Sequence, residues 1–487
     1  LRLPSLRVLD LRGNSIDHIS ISLFAGIKSL KSLDLSDNRL SILPTGAFNY
    51  LKFLETLSLA RNNITDFSPN LLRGLDKLLS LRLDGNPIRI SVLNELLSMS
   101  PQLQRLDLNY CRLRDIHRLS FTNNPTLQWL GLAGNMLDVV PTQVLLPLKE
   151  LNTLDLSDNG ILSIASGAFP SNNLSRLFLA RNRLGKSVQP FHSNYLGSSS
   201  LREIDLSFNN FENFDSQMLG ENRHTIETLK LSGNNIRHFY NRLTSGLSHL
   251  KSLYLAFNHI EQIPSVLPKE YHNLTFLDLA GNRLNYLPSN TRHLLPSLRI
   301  LDISHNQFHG FSKRTFDEFI NQLEQVHLSD NPWDCGCQVD DLKRHMVERL
   351  QYRWQLNYEQ TVCATPEEIR GAVIYRLNHI SDCAILFGAI FGLSQTSELS
   401  LLLAALMVIA VLISLVLLLL YYSRERHHKM IYKSGRKPHS RTALTLSQQL
   451  SQSPTSLTEP LSPFRDSPIS LNANKIPPPP PPLLTNF

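Results

Sequence analysis

From Leu6 to Trp333 the chain repeats one spacing of apolar and polar positions. Each copy places apolar residues at slots one, four and six, an asparagine at slot nine and another apolar residue at slot eleven. The first copy is Leu6, Leu9, Leu11, Asn14 and Ile16; the last is Leu323, Val326, Leu328, Asn331 and Trp333. The ninth slot falls at residues 14, 38, 62, 86, 111, 135, 159, 182, 209, 234, 258, 282, 306 and 331. Steps are 24 or 25 residues, apart from one of 23 and one of 27. Two apolar residues two apart lie on one face of a short strand, which predicts a strand at each copy. Leu6 and Ile16 complete an apolar wedge that one copy cannot bury, so neighbours must stack over a shared leucine core. The asparagine leaves the strand at a turn, where its amide can satisfy backbone groups of adjacent copies as a ladder. Cys111 takes the asparagine's place once and reads as a small buried weak donor without a redox role.

The pattern is similar to the leucine-rich repeat, whose copies run 20–29 residues. That resemblance implies an α/β solenoid with a curved parallel sheet on its concave face, with residues 1–331 holding about 14 repeats. A solenoid displays a surface, and a surface is for binding. Side chains beside the inward leucines point outward. Most are small or polar, so Trp129, Phe178, Tyr254 and Phe276 stand out as exposed aromatics, the residue type enriched at binding hot spots. They are the candidate ligand-binding residues, for a protein ligand. Phe208 and Phe257, just before the ladder asparagine, are expected to pack within the turn. Asp10, Asp34, Asp107, Asp155, Asp205, Asp278 and Asp302 line up on one face; the repeat's habit of writing Leu-Asp-Leu accounts for them without a carboxylate site.

Four of the five cysteines follow the last repeat: Cys335, Cys337, Cys363 and Cys383. An even count in a short segment predicts two disulfides and an oxidising compartment. A zinc site would favour paired C-x-x-C spacings, which are missing here. Asn331-Pro-Trp-Asp-Cys-Gly-Cys, Asp341-Leu-Lys-Arg and Cys363-Ala-Thr-Pro together resemble the C-terminal capping domain of extracellular leucine-rich-repeat proteins. The resemblance implies Cys335–Cys363 and Cys337–Cys383 pairing within a cap over 332–384. Trp333 and the amphipathic stretch Val339 to Leu350 are suited to cover the last repeat's apolar end. The chain starts at Leu1 in the approach to a repeat, without Met, signal peptide or capping cysteines. Export of an N-terminus requires a signal, so further repeats and a cap are expected upstream.

Residues 401–422, LLLAALMVIAVLISLVLLLLYY, carry no charge and would reach across about 30 Å of hydrocarbon as a helix. Arg424, Arg426, Lys429, Lys433, Arg436, Lys437 and Arg441 follow, so the repeats are expected outside and the tail in the cytoplasm, a type I plasma-membrane topology. Ala384 to Leu393 is too short to span and belongs to a juxtamembrane stem, 385–400. Sequons at Asn63, Asn173 and Asn273 are candidate glycosylation sites. The net charge of +7 sits almost wholly in residues 423–487, which hold nine Lys or Arg against three Asp or Glu. The repeats are therefore near neutral, which disfavours a nucleic-acid footprint.

The tail, 423–487, is Ser-, Pro- and Leu-rich, so disorder is expected. Its composition excludes a kinase or a Toll-type signalling domain. Pro477, Pro478, Pro479, Pro480, Pro481 and Pro482 predict a polyproline II rod that suits SH3, WW or EVH1 grooves or serves as a spacer. Thr485 and the terminal Phe487 suit a PDZ groove, which reads alternate side chains and the free carboxylate. No phosphate loop, zinc-protease or nucleophile-elbow motif occurs, so neither enzyme chemistry nor a cofactor is expected. The layout resembles neuronal leucine-rich-repeat receptors, in particular those of nematode dendrite morphogenesis. That implies adhesion-type protein ligands outside and scaffold or actin regulators inside. The alternatives are an innate-type pattern-recognition co-receptor without its own signalling domain, and an anchored matrix organiser.

Overall fold

The computed structural model describes residues 3–68, 70–165, 167–169, 173–186, 200–239, 241–336, 339–348, 358–377, 409 and 411–420. Residues Leu1–Ser394 form one compact unit and Gln395–Phe487 another.

The first unit is built on a parallel sheet of 14 strands in strictly sequential order. Each strand is three residues long. The first seven are Val8–Asp10, Ser32–Asp34, Thr56–Ser58, Ser80–Arg82, Arg105–Asp107, Trp129–Gly131 and Thr153–Asp155. The next seven are Arg176–Phe178, Glu203–Asp205, Thr228–Lys230, Ser252–Tyr254, Phe276–Asp278, Ile300–Asp302 and Gln325–His327. We number the repeats as rungs 1 to 14 by these strands. Register is unshifted throughout, so Leu9 faces Leu33 and Leu277 faces Leu301. The middle residue of every strand therefore points into one core, and the first and third point to the open face. Inner leucines such as Leu57, Leu130 and Leu277 are at most 1% exposed. Burying each leucine contributes roughly 2 kcal/mol. Leu6, Leu9, Leu11 and Ile16 of rung 1 are only half-buried.

A strand of three residues closes few hydrogen bonds, and the asparagines supply the rest. The Asn38 amide donates to the carbonyls of Leu11, Leu35 and Ser36, at 2.9, 3.0 and 3.0 Å. Its Oδ1 accepts from the backbone N–H of Asn14 and Ile16, at 3.0 and 2.8 Å. Asn135 and Asn234 repeat the pattern. Each amide thus satisfies backbone groups of its own rung and the one before. At rung 5 the Cys111 thiol is fully buried and donates weakly to the Leu83 and Asn109 carbonyls, at 3.4 and 3.5 Å. Without an Oδ1 there, the Ile88 N–H turns back to the Asn86 carbonyl. Burial pushes the thiol up to about 12, so Cys111 stays protonated and free, as its sequence position implied.

Rung 14 is closed by Trp333, 1% exposed. Its Nε1 donates to the Leu328 carbonyl at 2.9 Å, and its ring lies 5.4 Å from Phe311 and 6.4 Å from Phe308. The helix Val339–Glu348 turns Val339, Leu342, His345 and Met346 inward. The short strand Trp333–Asp334 pairs with Cys363–Thr365, and Cys335 is bonded to Cys363 across a Cα–Cα distance of 5.6 Å. Those two sulfurs are therefore not zinc ligands. Cys337 and Cys383 lie outside the described residues, as do the stem 385–400 and the tail 423–487 with its Pro477–Pro482, Thr485 and Phe487. In the second unit, residues 411–420 are helical with exposed side chains. Among the described residues no helix is long and apolar enough to cross a membrane; the expected span 401–422 extends over residues outside that set.

The ladder's hydrogen bonds predict opposite effects for two substitutions. Asn135→Ala strips partners from five buried backbone groups and should cost about 2–4 kcal/mol. Cys111→Asn restores an acceptor for rung 4 and should gain about 1 kcal/mol. Urea unfolding followed by tryptophan fluorescence reads both; a destabilised Cys111→Asn would mean the site has adapted to sulfur.

Candidate ligand-binding face

Outward side chains form two rows on the open face, from the first and third strand positions. The sequence placed Trp129 and Phe276 in the first row and Phe178 and Tyr254 in the third. All four are there, but half-buried, not fully exposed as expected. Nor do they form one group. Trp129 stands apart at rung 6, covered by the Arg105 guanidinium 3.6 Å from its ring centroid. Burial pulls the Arg105 pKa down, and Arg82 and Arg176 add to that.

The other three gather around Lys230. Its Nζ lies 5.8 Å from the Phe178 ring and 5.6 Å from the Tyr254 ring. Tyr254 in turn contacts Phe276, with centroids 4.7 Å apart. Lys230 also donates to Glu203 at 2.7 Å. Burial opposes its charge, but the Glu203 hydrogen bond and negative charge outweigh that and raise its pKa. The result is an amphipathic cluster across rungs 8–12, in which a cation is stacked between rings. Sequence reading missed Lys230, Glu203 and Arg105. Their register was the available signal, since each occupies an outward strand position beside an aromatic in an adjacent or nearby rung.

The aspartates occupy the third row as the repeat's spelling implies, yet they are not equivalent. Asp34 is held low: burial is outweighed by hydrogen bonds from Ser36 and by Arg12. Asp107, 5% exposed, is pushed up to about 6 by burial and by Asp84, against the Asn109 N–H, Arg82 and Arg105. Asp278 is also pushed up to about 6, by burial and then by Asp302, against the Ala280 N–H.

Phe208 and Phe257 depart from expectation. They do not fold into their own turn: they are 45% and 59% exposed, at φ 55° and 53°. Each ring lies on a glycine of the next rung. A Cβ at Gly233 would meet Phe208 at 2.2 Å, and one at Gly281 would meet Phe257 at 2.5 Å. Both glycines also have positive φ, so a side chain there is disfavoured twice. Tyr110, 57% exposed, covers Gly134 in the same way, and its hydroxyl donates to Asp158 at 3.3 Å.

The sequon residues Asn63, Asn173 and Asn273 are all exposed. Asn173 and Asn273 precede their strands by the same three residues. Their amides donate to the Lys149 and Ser248 carbonyls, at 3.2 and 2.9 Å.

The raised pKa of Asp107 generates a stability prediction. Its folded value lies above the ordinary carboxylate range, so the protonated folded form is favoured and that stability is lost as pH rises through about 6. Asp107→Asn keeps the acceptor for the Asn109 N–H and should stabilise the chain by about 1–2 kcal/mol at pH 7. Thermal melts should show the gain shrinking towards zero below pH 5; a gain independent of pH would contradict the assignment.

Leucine-rich-repeat family models match residues 1–40, 28–88, 101–161 and 199–260, and a further single-repeat model matches 297–319. A segment of 170 residues, 30% of the chain, is 33% identical to Ras guanine nucleotide exchange factor V of Dictyostelium discoideum and spans 8% of that protein. Another 164 residues, 31% of the chain, are 30% identical to Toll-like receptor 7 of Drosophila melanogaster, spanning 11% of it. The chain thus spans about a tenth of the length of these relatives. Among solved structures, the TLR13–ssRNA13 complex superposes with a TM-score of 0.54 at 21% identity, covering 76% of this chain and 56% of that one. A leucine-rich-repeat protein of Leptospira interrogans gives 0.50 at 23% identity, over 71% and 83% of the two chains. These structures share the fold, which typically serves as a non-enzymatic interaction scaffold. Together with an asparagine ladder interrupted only at Cys111, these matches give the described repeats the leucine-rich-repeat pattern and fold.

Proposed function

We propose that the chain is a cell-surface receptor or adhesion protein that binds an extracellular protein ligand on the open face of its sheet. The observation that carries this reading is the Phe178–Lys230–Tyr254–Phe276 cluster. Rings held half-buried by their neighbours lose little side-chain entropy on binding and still offer apolar area, as hot spots do. A nucleic-acid ligand is disfavoured along this face, because half of the third-row positions are aspartates that repel phosphate. The surface location is supported by the Cys335–Cys363 disulfide, which suits an oxidising compartment, by three exposed sequons and by the uncharged stretch 401–422. The second disulfide, Cys337–Cys383, and glycans at Asn63, Asn173 and Asn273 belong to the same reading. A pattern-recognition co-receptor remains the second reading, supported by the partial match to a Toll-like receptor.

The binding reading is tested by crosslinking capture on cells that display the full chain. Phe178→Ala, Tyr254→Ala and Phe276→Ala together should reduce capture at least tenfold at equal surface display, with Trp129→Ala contributing less. Undiminished capture would move the site off the open face.

Inside the cell, we propose that the tail recruits scaffold or actin regulators, through PDZ domains at Thr485 and Phe487 and polyproline-binding domains at Pro477–Pro482. A peptide of the last ten residues should bind PDZ domains as the free acid and lose most affinity when amidated or when Thr485 is replaced by Ala. Equal binding of acid and amide, read by fluorescence anisotropy, would remove carboxylate capture as the mechanism.

A further inference from the structure

We propose that rungs 11–13 form a docking surface for a basic, apolar segment of the protein ligand, whose Arg or Lys side chain lies across the Tyr254 and Phe276 rings towards Asp278 and Asp302. This rests on the open-face reading and specifies the partner's chemistry.

Three observations converge on the Ala280–Gly281 turn. The Tyr254–Phe276 ring pair flanks it from the sheet, with Tyr254 in direct register with Asp278. The Asp278 carboxylate is fixed at it by the Ala280 N–H, at 3.0 Å. Phe257, 59% exposed, donates its N–H to the Ala280 carbonyl and lays its ring over Gly281. An apolar strip therefore wraps from the open face onto the edge of the solenoid. Phe257 is held there at φ 53°, a left-handed conformation that disfavours a bulky residue. Rungs 10 and 12 place glycine in the same slot without that cost.

The charge beside the strip selects the partner. Asp302 is in register with Asp278, so the two carboxylates sit on strands about 4.8 Å apart. Most other carboxylates in the row have cations: Asp34 has Arg12 at 3.6 Å and Asp107 has Arg82 at 3.9 Å, whereas Asp155 makes no ion pair among the described residues. Asp205 lies near Lys230. Among the described residues, Asp278 and Asp302 make no ion pair. Their remaining partners are the Ala280 N–H and the Ser304 N–H and hydroxyl. Asp302 is the charged neighbour that Asp278 feels, and it raises the Asp278 pKa. A guanidinium or ammonium placed over the rings would relieve that repulsion and gain cation–π contact at once. Aliphatic residues beside it would cover Phe257. An anionic segment would meet two like charges.

The probe is a fluorescent dodecapeptide of alternating Arg and Leu, titrated by anisotropy against the purified full chain in detergent. Two further peptides replace Arg by Glu or Leu by Ser. The Arg/Leu peptide should bind at least 30-fold more tightly than the Glu version and about tenfold more tightly than the Ser version. Asp278→Asn with Asp302→Asn should weaken it about tenfold, as should Phe257→Ala with Tyr254→Ala. Asp107→Asn, a single-charge control on the same face, should leave it unchanged. Binding should also weaken as pH falls through about 6. Asp278 then loses charge beside Tyr254 and Asp302. Equal binding of the Glu peptide, or Asp107→Asn weakening binding as much as the Asp278/Asp302 pair, would overturn the proposal. Repeating the cell-surface capture separates the two readings. If Tyr254→Ala with Phe276→Ala abolishes capture while the Asp278/Asp302 pair does not, this inference falls and the open-face reading stands. If neither changes capture, both fall.

Discussion

The asparagine ladder is the constraint on which the rest of the structure depends. Strands of three residues cannot hold a sheet in register by their own hydrogen bonds. At every rung after the first, the fifth excepted, a buried or half-buried amide donates to two rungs and accepts from the one before. The penalty for an unpaired buried carbonyl or N–H, about 1–3 kcal/mol each, makes the register all-or-none. The leucine core supplies most of the apolar stabilisation but tolerates sliding, since one leucine resembles another. The ladder does not tolerate it. The middle residue, leucine at all rungs but two, is therefore directed inward fourteen times without a shift.

That rigidity is what makes the open face usable. With register fixed, first- and third-position side chains become two straight rows, and residues 24 or more apart in sequence become neighbours. Lys230 meets Phe178 from two rungs away, and Tyr254 meets Phe276 from the next. The edge of the solenoid obeys the same geometry. A ring at the left-handed slot of one rung needs glycine in the next, and Tyr110, Phe208 and Phe257 all find one. Aromatic residues are thus pinned on one side and open on the other, which suits recognition better than a freely rotating side chain does.

The charge pattern follows from the same stacking. Leu-Asp-Leu is a local habit of the repeat, but stacking sets each aspartate against different neighbours. Asp34 is surrounded by donors and an arginine, and its carboxyl is held low. Asp107 and Asp278 are buried beside a second carboxylate and are pushed up to about 6. Identical residues in identical slots therefore differ in protonation near neutral pH, and a ligand meets a face whose charge is uneven along its length.

The sequence by itself determined the rung number, the inward leucines, and the ladder with its Cys111 exception, while the Cys335–Cys363 bond was implied by the cap's resemblance to a known module. The former are fixed by periodicity, and a repeat makes local spacing equivalent to spatial position. It also located the outward aromatics, because register follows from counting. What only the tertiary structure decided was the company those residues keep. Trp129 is covered by Arg105, Lys230 joins three rings into one cluster, and Phe257 reaches across to Gly281 and not into its own turn. These outcomes depend on side-chain direction and on burial summed over several rungs. Both are properties of the stack, which no single copy of the repeat encodes.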